Sequence, residues 1–199
     1  MKEQITILTT THYVASTSKR RNYSGNHDRS VTHTGLLTTV LSDLYEKIGH
    51  NNFRHLICLD HDPQNDGSCQ YLENLQELTE EFPNVEILTT EKGIYHSIKK
   101  LIENTNTPYY LWWEHDWKFH ESMNLADIVS AMEKDENINY VRFNKRSNQP
   151  FGGDAQLWKY DNEHINLLGT TQWSNNPYFG RTSKMLEWYD LMETASIGG

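Results

Sequence analysis

Two short acidic motifs stand out in this chain of 199 residues, Asp60-His61-Asp62 and Glu114-His115-Asp116. Carboxylates at positions i and i+2 of an extended segment project to one side, so both can offer oxygen to a hard divalent cation. Such an ion, Mg2+ or Mn2+, commonly leaves its other positions to water and phosphate oxygens. On spacing alone, each pair is equally well a solvated strand end. Position favours the second pair: the run before it, Tyr109–Trp113, is wholly apolar, and Trp117 and Phe119 follow at once. Burying a carboxylate among apolar groups without a partner is costly, so this motif is expected to be more than a solvated turn.

Strand and helix patterns alternate four times ahead of these residues. Gln4–Thr11 is a β-branched strand ending in hydroxyls, and the polar stretch from Ala15 to His33 carries Lys19, Arg20, Arg21 and Arg29. That stretch suits a ligand-covering loop or a disordered segment. From the N-cap candidate Thr34, apolar residues recur at helical spacing (Leu36, Leu37, Val40, Leu41, Leu44, Tyr45, Ile48) until Gly49. The strand His55–Asp60 follows, then a helix carrying Tyr71, Leu72, Leu75, Leu78 and Phe82 that stops at Pro83. Next come the strand Val85–Leu88, a helix with Ile94, Tyr95, Ile98, Leu101 and Ile102, and the strand Tyr109–Trp113. Right-handed crossovers between such strands build a mostly parallel sheet covered on both faces, a three-layer α/β sandwich. Past residue 120 the rhythm changes to a helix at 124–132, a strand at 140–143, a Gly/Asn/aromatic-rich region to Phe179 and a final helix from Thr182. The expected organisation is one domain, with residues 1–120 as a nucleotide-binding half and 121–199 as an annex on the same sheet.

In open α/β sheets ligands bind beyond the carboxyl ends of the strands. Those ends read Thr9-Thr10-Thr11-His12-Tyr13, Asp60-His61-Asp62, Thr89-Thr90-Glu91-Lys92 and Glu114-His115-Asp116. Further on, Gln172–Arg181 mixes aromatics with amides, including Trp173, Asn175 and Asn176. The mixture suits a sugar, whose hydroxyls bond amides and whose C–H faces pack on rings, or else a loop that closes the core. A formal net charge of −9 argues against a nucleic-acid polymer or an anionic membrane as partner. No apolar run reaches the roughly 18 residues of a membrane span, and the opening residues carry no signal peptide, which leads to an expected cytoplasmic location. Cys58 and Cys69 read as reduced structural thiols, and the ten histidines contain no H-E-x-x-H or three-ligand zinc spacing.

The ordered pattern of residues 4–120, from the hydroxyl-ended first strand through Asp60 to Glu114-His115-Asp116, resembles family-2-like nucleotide-sugar glycosyltransferases of the GT-A fold. The resemblance implies that Thr9, Thr10, Thr11 and Asp60 hold the nucleoside of a nucleoside diphosphate sugar. It implies that Asp116 and Glu114 hold Mn2+ or Mg2+ on the diphosphate, with Asp116 the stronger ligand. This chain departs from the usual Asp-x-Asp in having Glu at the first position. Negative charge building on the leaving phosphate must be neutralised, and Lys92, Lys145, Arg146 and Arg181 are candidates to assist. The resemblance also implies a carbohydrate or glycan acceptor, seated by Trp173, Asn175, Asn176 and Arg181. An inverting transfer needs a carboxylate base after the acidic motif. Asp154, which follows Gly152-Gly153, is placed ahead of Asp161, Glu163 and Asp190. Two rival readings share the composition: a nucleotidyltransferase or metal-dependent phosphohydrolase, and a non-catalytic carbohydrate-binding module. A nucleotidyltransferase usually has a glycine-rich phosphate loop after its opening strand, and Thr9–Ser18 contains no glycine.

Overall fold

The computed structural model describes residues 4–13, 34–49, 53–91, 93–143, 158–160, 165–169 and 176–197. The chain begins with strand β1 (Ile5–His12), helix α1 (Gly35–Ile48), strand β2 (Arg54–Asp60) and helix α2 (Asp66–Glu81). Strand β3 (Val85–Thr90), helix α3 (Ile94–Glu103), strand β4 (Tyr109–Glu114) and helix α4 (Leu125–Lys134) follow. The remainder holds strands β5 (Tyr140–Arg142), β6 (Trp158–Tyr160), β7 (Leu167–Gly169) and β8 (Tyr178–Arg181), and helix α5 (Thr182–Ile197).

Six strands form one sheet in the order β3-β2-β1-β4-β8-β5. The first four are mutually parallel, while β8 runs antiparallel to both β4 and β5. The expected mostly parallel α/β sandwich is therefore the observed architecture. Strand alternation builds its two apolar layers. Ile5, Ile7, Ile57, Leu59, Leu111 and Trp113 face one core with residues of α1, α2 and α4. Leu8, Leu56, Cys58, Tyr110 and Trp112 face the other with residues of α3 and α5. From β1 the chain moves outward through β2 to β3, and α3 then carries it back past β1 to β4. The strand order reverses between β1 and β4, and an open α/β sheet has its ligand crevice at such a point.

Local chemistry sets the helix ends. Gly49 closes α1 in the left-handed region at φ 70°, a conformation that costs glycine little. Asn65 caps α2, its side chain accepting from the N–H groups of Gly67 and Ser68. The helix thus starts several residues before its first apolar position, Tyr71. Two elements differ from expectation. Tyr178–Arg181, within the presumed sugar-binding loop, is a strand whose Tyr178 and Phe179 are buried in the core. The aromatic residues there close the core, as the alternative reading had it. The antiparallel pair β6-β7 arises in a segment with no alternation strong enough to mark it.

A buried polar chain runs under β1. Thr9 Oγ1 lies 2.9 Å from His55 Nε2, and the Tyr45 hydroxyl lies 2.9 Å from His55 Nδ1. Asn84 donates to the same hydroxyl at 3.0 Å. Full burial pulls the His55 imidazole down to about 3, so it is neutral in the folded protein at ordinary pH.

Candidate functional site

The parallel registers put the carboxyl ends of four strands on one rim. His12 pairs with Asp60, Asp60 with Thr90, and Thr10 with Glu114. Beyond β1, β2 and β3 the rim opens into a cavity of about 770 Å3, lined by the segments Thr10–Tyr13 and Asp60–Pro63 together with Asn65, Ser68, Glu91, Ile94 and Ser97. The helices α2 and α3 both begin at this cavity, with Asn65 and Gly93 as their caps.

Each predicted nucleoside residue now has a place. Asp60 lines the cavity, and its Oδ1 accepts from the Gly93 N–H at 3.1 Å, which ties the end of β2 to the start of α3. Gly93 has φ 85°, a left-handed conformation that favours glycine there. Thr10 lines the cavity. Thr11 does so too, while its hydroxyl bonds Tyr71 at 2.7 Å. Thr9 is a correction. Its side chain lies on the buried side of β1 against His55 and does not line the cavity.

Several lining residues were not singled out from sequence. The Tyr13 ring lies against α2 where Gly67 leaves room: a Cβ at Gly67 would come within 2.2 Å of the Tyr13 hydroxyl. Ser68 Oγ accepts from the Asp62 N–H and bonds His61 Nδ1, each at 3.0 Å. Asn65, Ser68, Ile94 and Ser97 belong to helix starts, and the run Asn65-Asp66-Gly67-Ser68 carries a capping signal that could have located two of them.

The acidic motif lies on the same rim, beside the cavity. Glu114 ends β4 half-buried, next to Thr10 of β1. The chain then turns, with the Trp117 N–H on the Glu114 carbonyl at 3.2 Å, and Phe119 folds back to stack on Trp113 at 4.0 Å. This stacking packs the aromatic rings against each other and leaves Asp116 in the turn outside. Asp116 is exposed and has no side-chain partner among the described residues, contrary to the shielding expected from its neighbours. No three His, Cys, Asp or Glu side chains converge as a metal cluster among the described residues. Two interstrand spacings, about 10 Å, separate β2 with its Asp60 from β4 with its acidic turn.

On the acceptor side, β8 starts at Tyr178 opposite Trp112, so Asn176 stands two residues earlier, toward the rim that carries Glu114. Arg181 is a second correction. It pairs with Tyr109 at the opposite end of β4. Its guanidinium donates to the Met132 carbonyl at 2.6 Å and to the Ile138 carbonyl at 3.4 Å, and it lies 5.3 Å from the centre of the Tyr109 ring. In this position Arg181 holds α4 and the β5 entry to the sheet. Arg181→Met removes those donors and is expected to cost about 1–3 kcal/mol in urea unfolding, while leaving ligand binding at the rim unchanged. Asp190, the last of the base candidates, pairs with Lys99 at 2.9 Å between α5 and α3. Lys92, Asp154, Trp173 and Asn175 lie outside the described residues, as do Lys145, Arg146, Asp161, Glu163 and the segment 14–33.

This sheet order is that of a GT-A-type α/β fold, and solved structures share it. One is the mannosyltransferase PcManGT from Pyrobaculum calidifontis in complex with GDP-Man and Mn2+, at TM-score 0.50 and 14% identity over 72% of this chain and 36% of that one. A second is S. aureus TarS 1-349 in complex with UDP-GlcNAc, at TM-score 0.54 and 12% identity over 92% of this chain and 47% of that one. A third is the 4-diphosphocytidyl-2C-methyl-D-erythritolsynthase from Anaerococcus prevotii DSM 20548, at TM-score 0.55 and 9% identity over 97% and 76%. At these identities the fold is what is shared, and the chain spans less than half the length of either glycosyltransferase. No protein-family model matches the chain, and no curated protein matches its sequence. Among the described residues, no helix is long and apolar enough to cross a membrane.

Proposed function

We propose that this protein is a glycosyltransferase that moves a sugar from a nucleoside diphosphate sugar to a carbohydrate hydroxyl, with a divalent cation on the diphosphate. One observation carries the reading: the cavity holding Asp60 and the turn holding Asp116 share a rim on either side of the β1/β4 reversal. A nucleoside in the cavity directs its diphosphate toward that turn. Thr10 and Asp60 offer acceptors to the N–H and O–H groups of the nucleoside, and Tyr13 and Ile94 offer apolar contact.

The donor set fits Mn2+ or Mg2+. Asp116 is exposed and unpartnered among the described residues, and Glu114 stands on the same turn, so carboxylate oxygen is available for a hard ion. When bound, the ion supplies positive charge against the charge that builds on the leaving diphosphate. In this proposal residues 1–120 bind the donor and residues 121–199 seat the acceptor, with Trp173, Asn175 and Asn176 at the acceptor. Asp154 takes the proton from the acceptor hydroxyl in an inverting transfer. Lys92 assists on the phosphate.

The test is a panel of nucleotide sugars with Mn2+ or Mg2+, reading nucleoside diphosphate release with and without candidate glycan acceptors. Release that requires both cation and acceptor supports the reading. Release of pyrophosphate from a nucleoside triphosphate and a sugar phosphate would instead select a nucleotidyltransferase. The likeness to the erythritol synthase favours that second reading, whereas the absence of glycine from Thr9–Ser18 counts against it. Sugar binding indifferent to nucleotide and metal would select a binding module.

Gly67→Ala tests the cavity wall. Alanine is the better helix former, which offsets part of the cost of moving Tyr13 from its packing against the core. The new methyl displaces the Tyr13 ring, and nucleoside diphosphate affinity is expected to drop about tenfold, or about 1.4 kcal/mol, by calorimetry. Unchanged affinity would remove Tyr13 from the binding wall.

A further inference from the structure

The cavity beyond β1, β2 and β3 discriminates among nucleobases by the charge of its lining. The described residues that line it include three carboxylates, Asp60, Asp62 and Glu91, and no lysine or arginine. Such a lining repels phosphate and attracts N–H and O–H donors, so it suits a base and its ribose, with the diphosphate outside. Guanine sets N1–H and the 2-amino group side by side, a pair of donors that the two oxygens of one carboxylate match. Uracil flanks its one N–H with two carbonyl oxygens, and adenine and cytosine set their amino group beside a bare ring nitrogen. Each of these three turns a lone pair toward a carboxylate.

Asp60 is held ready for that contact. Its Oδ1 accepts from the Gly93 N–H at 3.1 Å, which restrains the carboxylate, and both oxygens keep a lone pair for a ligand. His61, the next residue, supplies the complementary donor. Its backbone N–H donates to the Thr90 carbonyl at 2.7 Å. Ser68 Oγ accepts from the Asp62 N–H, which leaves the hydroxyl proton for His61 Nδ1 at 3.0 Å and puts the imidazole proton on Nε2. Guanine carries the acceptor O6 next to N1–H, where a donor of this kind is needed.

We propose that this cavity takes guanine, with the Asp60 carboxylate on N1–H and the 2-amino group and the His61 Nε2–H on O6, so that the donor is a GDP-sugar. The inference rests on the donor-site reading above and names its nucleotide.

Calorimetry of the full chain with GDP, IDP, XDP, UDP, CDP and ADP, each with Mg2+, tests it. IDP lacks the 2-amino group, and XDP has a carbonyl oxygen in its place. GDP is expected to bind tightest, with IDP and UDP weaker by at least about tenfold. Asp60→Asn keeps an oxygen for the Gly93 N–H and turns an amide donor to the cavity, so it is expected to bind XDP more tightly than GDP. Loss of folding cannot mimic that gain. His61→Ala is expected to weaken GDP and IDP alike, because both carry O6. Equal affinity for GDP and IDP, a tighter fit for UDP, CDP or ADP, or an Asp60→Asn that still prefers GDP to XDP overturns guanine and leaves the nucleotide site standing. Binding of none of the six overturns both.

Discussion

Asp116→Ala is expected to lower nucleoside diphosphate release more than about 100-fold while leaving the fold unchanged. Changes to groups that only support metal ligands already cost about 10–100-fold, and losing a direct ligand costs more. The stability half of the expectation follows from the position of Asp116: exposed, in a turn, with no side-chain partner among the described residues. Surface changes of that kind stay within about 0.5 kcal/mol. Glu114→Ala is the useful contrast, because Glu114 is half-buried at the end of β4 and has interactions of its own. Its loss is expected to lower stability as well as rate. Full activity of Asp116→Ala, or of the wild type in excess chelator, contradicts the metal role.

The second large effect is acid destabilisation through His55. The folded-state value of about 3 lies below the ordinary 6.5 because burial penalises the charged ring. Between those values the unfolded chain binds a proton that the folded chain refuses, so the stability from a neutral His55 is complete above pH 6.5 and is lost as pH falls toward 3. The slope reaches about 1.4 kcal/mol per pH unit, and the total is on the order of 5 kcal/mol, a large part of the roughly 5–15 kcal/mol that holds a domain together. Protonation would also leave both ring nitrogens donating, between Thr9 and a Tyr45 hydroxyl that already accepts from Asn84. Urea unfolding at pH 7.5 and 4.5 measures the effect. His55→Gln can still bond both neighbours but cannot ionise, so it is expected to be weaker at pH 7.5 by about 1–3 kcal/mol and to lose less on acidification. An equal acid loss in the variant would assign the effect to other groups.

The alternation of strand and helix was legible because the two periodicities differ so clearly. Continuous apolar runs such as Leu56–Leu59 and Tyr109–Trp113 mark strands covered on both faces, and one-sided spacings such as Leu37, Val40, Leu41, Leu44 mark the helices between them. The rim was legible for the same reason, since each run ends where its residues turn polar. Which side chain on that rim faces the ligand was not. Both faces of this sheet are covered, so the period of two separates Thr9 from Thr10 without saying which of them meets the cavity. The structure turns Thr9 to His55 and leaves Thr10 at the opening. Arg181 and the aromatic pair Tyr178-Phe179 were ambiguous for a different reason. Amides and aromatics suit sugars and core edges alike, and only the antiparallel pairing of β8 with β4 tells them apart.

Growing crystals of the full chain with Mn2+ and the nucleoside diphosphate that it binds best would locate the donor in one measurement. The nucleoside is expected in the cavity against Asp60 and Thr10, with its diphosphate crossing from β1 toward the turn after β4 and the ion within bonding distance of Asp116. Density at the other end of the strands, near Tyr109 and Arg181, or a nucleotide bound with no ion near Asp116, would contradict the account.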